Sequence, residues 1–264
     1  MLTILDVWAA SPERIFTSAK DVLESVRAVR DIPNRTESVN FALRLRLVSK
    51  SAEGLLLSPL AVALTTQRDA VRYDLMHFLA YTAWDPGSSD DSVPFWSYRS
   101  TCDMLWQLAP VMVDAQRDQL VEHVITTSQA QFSGHPSYDP DHVSYSRKSL
   151  RSILKWLESL APAVVSDGCA RRRTACSSEL LLLAIGQAYL FAGAELGVEL
   201  TLTARIRDVI SRSCLVDPAY LDRLLDWGLP RYPLFVERAD QSSSYGRSVR
   251  LRSLPSVESI LADR

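Results

Sequence analysis

Arginines are concentrated near the end of this sequence, in a pattern suited to binding phosphate groups. Residues 234–239 (LFVERA) and 248–253 (SVRLRS) are two β-prone runs joined by the polar segment DQSSSYG. Alternation along the second run places two arginines on one face and two apolar residues on the other. Arginine forks bind phosphates and tyrosine rings stack on bases. The candidate nucleic-acid contacts here are Arg238, Tyr245, Arg247, Arg250 and Arg252.

Two further groups of arginines are candidate phosphate contacts. Arg171, Arg172 and Arg173 are consecutive in the segment DGCARRRTACSS, which the pattern predicts to be a loop. Arg44 and Arg46 are expected on the exposed side of an amphipathic helix. The alternative for each group is a solvated charged surface without a ligand.

No motif in the sequence indicates catalysis, a cofactor or a metal site. Glycine-rich phosphate loops, nucleophile elbows, HExxH and CxxC patterns are missing from the sequence. His135, Asp139, Asp141 and His142 do not have the spacing of a metal site, and Cys169 and Cys176 form no zinc-type pair. His77 lies among apolar residues and is expected to be a core histidine. We therefore expect a protein that is not an enzyme and holds no cofactor.

Composition is typical of a folded protein of one or two domains. Hydrophobic residues make up 47% of the 264 residues and charged residues 23%, and the net charge of −2 hides an acidic first half and a basic second half. No signal peptide or membrane span is apparent, because the longest apolar run, 180–194, contains Gln187 and is too short to span a bilayer. Four cysteines without a secretion signal favour the cytoplasm, and no membrane partner is expected.

Periodicity predicts a mainly α fold. Helices are expected over 11–30, from Thr36 to about Val48, after Pro59, over 68–84, as a pair within 97–131, and over 146–160. The polar, proline-containing segment 133–146 is the expected linker between a helical domain, 1–135, and a second domain, 146–264. The helix–turn–helix–strand order of the first domain resembles the latter part of a winged-helix unit, with a plain helical bundle as the alternative.

The C-terminal part contains a longer series of predicted elements. A buried helix over 180–195 is followed by a strand, 198–202, a helix, 203–214, a helix from Asp217 to about Trp227, and the two β-prone runs. This order resembles the winged helix-turn-helix superfamily over about residues 180–253. The resemblance implies a small antiparallel sheet, a recognition helix at 217–227 and a wing at 240–247.

Charge on the two implied binding elements conflicts. The wing is rich in arginine, whereas the implied recognition helix carries Asp217, Asp222 and Asp226 against Arg223. Carboxylates on a groove-binding helix would repel a polyanion. Three functions stay open, of which the third is an enzyme whose catalytic residues come together from distant parts of the chain. The first is a nucleic-acid-binding accessory subunit of a prokaryotic DNA-processing or defence complex, with duplex DNA as the expected ligand. The second is a protein-interaction adaptor that does not bind nucleic acid.

Overall fold

A computed structural model describes residues 1–11, 15–29, 36–84, 93–132, 145–238 and 246–262. The fold is mainly α, as the sequence predicts. The helices are α1 (Leu2–Ala10), α2 (Ala19–Val29), α3 (Thr36–Arg44), α4 (Pro59–Thr65), α5 (Asp69–Thr82), α6 (Val93–Leu108), α7 (Val113–Phe132), α8 (Arg147–Glu158), α9 (Ser178–Ala192), α10 (Ala204–Cys214), α11 (Leu221–Gly228) and α12 (Val257–Ala262).

Short strands form three small antiparallel sheets in the described part of the chain. The strands are β1 (Ile15–Phe16), β2 (Val48–Ser51), β3 (Gly54–Leu57), β4 (Val111–Met112), β5 (Val165–Ser166), β6 (Cys169–Ala170), β7 (Glu199–Thr201), β8 (Val236–Arg238) and β9 (Ser248–Leu251). The sheet orders are β1-β3-β2, β4-β6-β5 and β7-β9-β8.

One order of elements occurs three times along the chain. Each copy runs helix, strand, helix, helix, strand, strand, and in each sheet the last strand of the copy lies between the other two. We name the copies repeat A (α1 to β3), repeat B (α6 to β6) and repeat C (α9 to β9). Repeat C contains the elements expected over 180–253, and repeat B is a finding that the sequence patterns did not predict.

The chain divides into two compact units. Unit 1 comprises residues 1–72 and 257–264, and therefore contains repeat A; unit 2 comprises residues 73–256, and contains repeats B and C. Within unit 1, α12 packs against α4, and Val257 and Ile260 are buried. The sequence-based boundary near residue 146 lies between α7 and α8, which pack against each other in repeat B. Independent folding of residues 146–264 stays a prediction.

The first predicted helix, over 11–30, is wrong in its extent. Ile15 and Phe16 pair with β3, and the helix begins only at Ala19. Ser18 explains this start, because its hydroxyl accepts a hydrogen bond from the Asp21 backbone N–H, as an N-cap does. Of the residues expected to begin the helix, Ser11 instead ends α1, and Pro12 and Glu13 lie outside the described residues. A preceding helix, α1, was not predicted.

The turn between β2 and β3 shows why glycine is at its end. Gly54 has φ +139°, and a Cβ there would lie 2.4 Å from the Phe16 carbonyl oxygen. Only a residue without a side chain allows β1 to pair this closely with β3.

Repeat C follows the predicted local signals closely. Thr203 caps α10 through its side chain, and Asp217 followed by Pro218 caps a short 3-10 turn that leads into α11. The strands are a few residues shorter than predicted. Among the described residues, we find no helix with the length and apolar character required to cross a membrane.

Candidate functional site

Arg247, just before β9 of repeat C, contacts the carboxylates of α11. Arg247 is only 12% exposed and donates hydrogen bonds to the carboxylates of Asp222 and Asp226 and, over 3.1 Å, to the Asp222 carbonyl oxygen. Arg207 of α10 binds the same Asp222 carboxylate with two nitrogens, at 2.7 and 3.1 Å. Hydrogen bonds from Arg207, with a further contribution from Arg247, lower the pKa of Asp222.

The other two described arginines of these strands are also paired. Arg250 of β9 lies 2.9 Å from Glu199 of β7 and 3.6 Å from Glu237 of β8. Arg252 lies 3.5 Å from Glu237. Each of these pairs joins neighbouring strands, or the segment after β9 to β8. Tyr245 and the side chain of Arg238 lie outside the described residues.

These contacts balance the charges of the described arginines on the candidate face of repeat C. Four described arginines are balanced by four carboxylates; the arginines are Arg207, Arg247, Arg250 and Arg252, and the carboxylates are Glu199, Asp222, Asp226 and Glu237. The conflict seen in the sequence therefore has a structural explanation, because the acids of α11 are partners of the arginines. A phosphate that approached Arg247 would meet two carboxylates in the same cluster, which opposes binding.

The arginine triplet does not act as one group. Arg171 is exposed. Arg172 lies 4.4 Å from the centre of the Trp106 ring and donates to the Trp106 carbonyl oxygen. Arg173 has no exposed surface on its side chain and lies 2.8 Å from the Asp74 carboxylate. Arg173 was expected to be a phosphate contact in an exposed loop, and that expectation is wrong. Its guanidinium is buried and cannot reach a phosphate.

Arg44 and Arg46 are both exposed, near the end of α3 and after it. Arg46 has φ +57°, in the left-handed region, as the chain turns from α3 towards β2. Both are exposed as predicted, but the helix expected to continue to about Val48 ends at Arg44, so Arg46 does not lie on it. Contact of either residue with a ligand stays a prediction.

His77 lies in the core, as predicted from its apolar neighbours. Its Nε2 is 3.1 Å from the Ser213 carbonyl oxygen and its Nδ1 is 2.8 Å from the Tyr98 hydroxyl. A carbonyl can only accept, so Nε2 carries the proton and Nδ1 accepts from Tyr98. Burial, together with the nearby Arg173 cation, lowers the pKa of His77 to about 3. The ring is therefore neutral near pH 7.

This neutral histidine makes stability depend on pH. The unfolded chain takes up a proton on His77 below about pH 6.5, whereas the folded protein does so only near pH 3. The stability that the protein gains from keeping His77 neutral is therefore fully present above pH 6.5, and it is lost as the pH falls towards 3. We expect a loss of about 2 kcal/mol from this group between pH 7 and pH 5.

Urea unfolding of the parent and of His77→Gln at both pH values measures that loss. The variant is less stable at pH 7, but its further loss at pH 5 should be smaller than the parent's by about 2 kcal/mol. Equal losses in the two proteins would contradict the assignment of a neutral histidine.

A second set of cations was visible in the sequence but was not included in the predicted site. Lys148, Arg151 and Lys155 lie on the exposed face of α8, the second of the two consecutive helices of repeat B. None of the three forms an ion pair within the described part of the chain, whereas Arg147 at the start of the helix pairs with Asp118 of α7. The pattern revealed an amphipathic helix, but the two-residue strands around it were too short to reveal repeat B.

Large apolar side chains are exposed mainly in repeat C and the residues just after it. Of fourteen such side chains in the described residues, eight lie within 190–254. Four are close together where α9 ends and β7 begins, and we call them the apolar corner: Leu190, Phe191, Leu196 and Val198. Two left-handed glycines, Gly193 and Gly197, turn the chain back within this segment. Trp227 and Leu234 are exposed elsewhere in the repeat.

Comparison of the chain with protein-family models, curated proteins and solved structures found no match. Within the described ranges, no group of three or more His, Cys, Asp or Glu side chains is arranged to hold a metal ion.

Proposed function

We propose that the protein is a non-catalytic adaptor subunit that binds a protein partner through repeat C. The observation that carries this proposal is the pairing of Arg247 with Asp222 and Asp226, because it neutralises the face on which the sequence predicts nucleic-acid contacts. At repeat C, this arrangement favours contact with a protein over the contact with nucleic acid that the sequence predicts. The resemblance of repeat C to winged-helix modules is compatible with either function.

The apolar corner is the proposed docking surface on repeat C. Single exposed apolar residues are common on soluble proteins, but several close together often indicate an interaction surface. Here four side chains lie within nine residues of one turn, beside the edge strand β7. An aromatic ring such as Phe191 is a residue type that frequently carries binding energy. The expected partner is a different protein that offers an apolar surface.

Replacing Phe191, Leu196 and Val198 with Ser tests the docking surface. All three side chains are exposed, so the fold should be retained, which circular dichroism and thermal unfolding can check. We expect affinity purification from cells that naturally produce the protein, followed by quantitative mass spectrometry, to recover a defined partner with the parent. Recovery with the variant should fall at least tenfold, since lost apolar contacts of about 1.4 kcal/mol change affinity tenfold.

In the matched control, Ser replaces Val29, Val62 and Met112, which are exposed apolar residues outside repeat C. This control should recover the partner as the parent does. Equal recovery by all three proteins would contradict the proposal. Concentration-dependent self-association that the corner variant abolishes would identify a second copy of the chain as the occupant, and would also contradict an adaptor for a different protein.

A further inference from the structure

We infer that the exposed face of α8 in repeat B is a binding site for the phosphate backbone of double-stranded nucleic acid. This site is separate from the proposed docking surface of repeat C, and no described residue of the neutral cluster around Arg247 takes part in it. The proposed site consists of Lys148, Arg151, Lys155 and Arg171.

The spacing of the α8 cations makes a straight row on a rigid element. Positions separated by three, four and seven residues lie on one side of an α-helix, and the row spans about 10 Å at 1.5 Å per residue. Ser146 fixes the start of the helix, because its side chain accepts a hydrogen bond from the Ser149 N–H. The opposite side of the helix is buried through Leu150, Leu154 and Leu157. The backbone positions that carry the cations are therefore fixed before any ligand binds.

Backbone hydrogen bonds bring Arg171 to the same region. The Val164 N–H donates to the Leu157 carbonyl oxygen at the end of α8, over 3.1 Å, and the Arg171 N–H donates to the Val164 carbonyl oxygen, over 2.8 Å. The backbone of Val164 thus lies between the exposed Arg171 and the end of α8, and it is hydrogen-bonded to both. It follows β6, whose hairpin with β5 has the short turn Asp167–Gly168.

The charges around this face favour a polyanion. Asp118 of α7 is already paired with Arg147, and Glu158 is the one carboxylate on the described exposed face of α8, at its C-terminal end. This contrasts with repeat C, where each described arginine near α11 and β9 discussed above has a carboxylate partner. Cations without partners can release bound counterions from nucleic acid without first breaking an ion pair.

The residue types on α8 select among polyanions. Its exposed positions are charged or serine, so the helix lacks the apolar face needed to enter a membrane surface. It also offers no exposed aromatic ring on which unpaired bases would stack, as single-strand binders do. The ligand class that remains is a duplex bound through its phosphates, with little dependence on base sequence.

The test is a titration of labelled 25-base-pair duplex DNA of mixed sequence at several salt concentrations between 50 and 200 mM. The parent should bind, and Lys148→Gln, Arg151→Gln and Lys155→Gln together should reduce the magnitude of the negative slope of log affinity against log salt by about three. At 0.1 M salt we expect affinity to fall by about 100-fold, equally for duplexes of different sequence. Lys148→Arg with Lys155→Arg should bind as the parent does.

A control of equal charge separates the site from net charge. Lys20, Lys50 and Arg68, which are exposed cations of unit 1, are replaced with Gln in that protein. Its binding should change less than threefold. The inference is overturned if the parent does not bind at 50 mM salt, if the α8 variant binds as the parent does, if both triple variants lose binding equally, or if single-stranded DNA binds as tightly as duplex. None of these results bears on the apolar corner.

Discussion

Replacing Arg173 with Met is expected to destabilise the protein by about 3–5 kcal/mol, because it leaves the buried Asp74 carboxylate without its cation. Both side chains are almost completely buried, and their nearest atoms are 2.8 Å apart. The guanidinium also donates to the carbonyl oxygens of Ala161, Pro162 and Cys214, so its loss removes bonds from three further chain positions. Urea unfolding followed by circular dichroism measures the change.

Arg171→Met is the matched control, since it removes the same group from an exposed position two residues away. Its effect should stay within about 0.5 kcal/mol. A double variant, Asp74→Leu with Arg173→Met, should cost less than the two single changes added together, because it leaves no buried charge. Equal stability of the Arg171 and Arg173 variants would show that the ion pair does not hold this part of unit 2 together.

Trp106→Ala is expected to cost about 3–5 kcal/mol, the usual range for deleting a buried aromatic ring. Trp106 lies in α6 of repeat B and donates from Nε1 to the Val216 carbonyl oxygen of repeat C, over 2.9 Å. Arg172 and Arg212 lie 4.4 and 5.2 Å from the ring centre. The change therefore removes apolar packing, a hydrogen bond and the Arg212 cation–π contact between repeats B and C, and the Arg172 cation–π contact with the segment that joins them.

Trp227→Ala is the control for this prediction, because that ring is 68% exposed. It should change the free energy of unfolding by about 0.5 kcal/mol or less. Trp106→Phe should fall between the two, at about 1–3 kcal/mol, since it keeps most of the packing but leaves the Val216 oxygen without its donor. The same urea series measures all three variants, and an effect of Trp106→Ala no larger than that of Trp227→Ala would contradict this account.

The sequence was most informative where local chemistry determines structure. Asp217 and Pro218 marked the turn into α11, and alternation in SVRLRS correctly placed Val249 and Leu251 in the core. Repeat B was not predicted, because strands of two residues show no alternation and are defined only by pairing with distant segments. Longer-range contacts of this kind do not appear in a local pattern.

The candidate site was harder to predict than the fold. Arginine content suggested a basic surface in repeat C, but the sequence does not reveal which carboxylates lie opposite each arginine. Arg247 meets Asp222 from 25 positions away, and Arg250 meets Glu199 from 51. Nothing in the sequence distinguishes Arg173 from Arg171 and Arg172, although its side chain is the one that is completely buried. Charge patterns in a sequence thus locate ionic groups without showing their partners.

Unit 1 is built from two segments that are far apart in the chain, and this affects how the protein folds during synthesis on the ribosome. Helix α4 ends at Thr65, whereas α12, which packs against it, begins at Val257. At typical rates of translation the intervening residues take roughly 10–40 seconds to make. Throughout that time α4 lacks one of its packing partners, so the part of α4 that α12 covers stays accessible to chaperones. Helix α4 is therefore made long before it reaches its final packing.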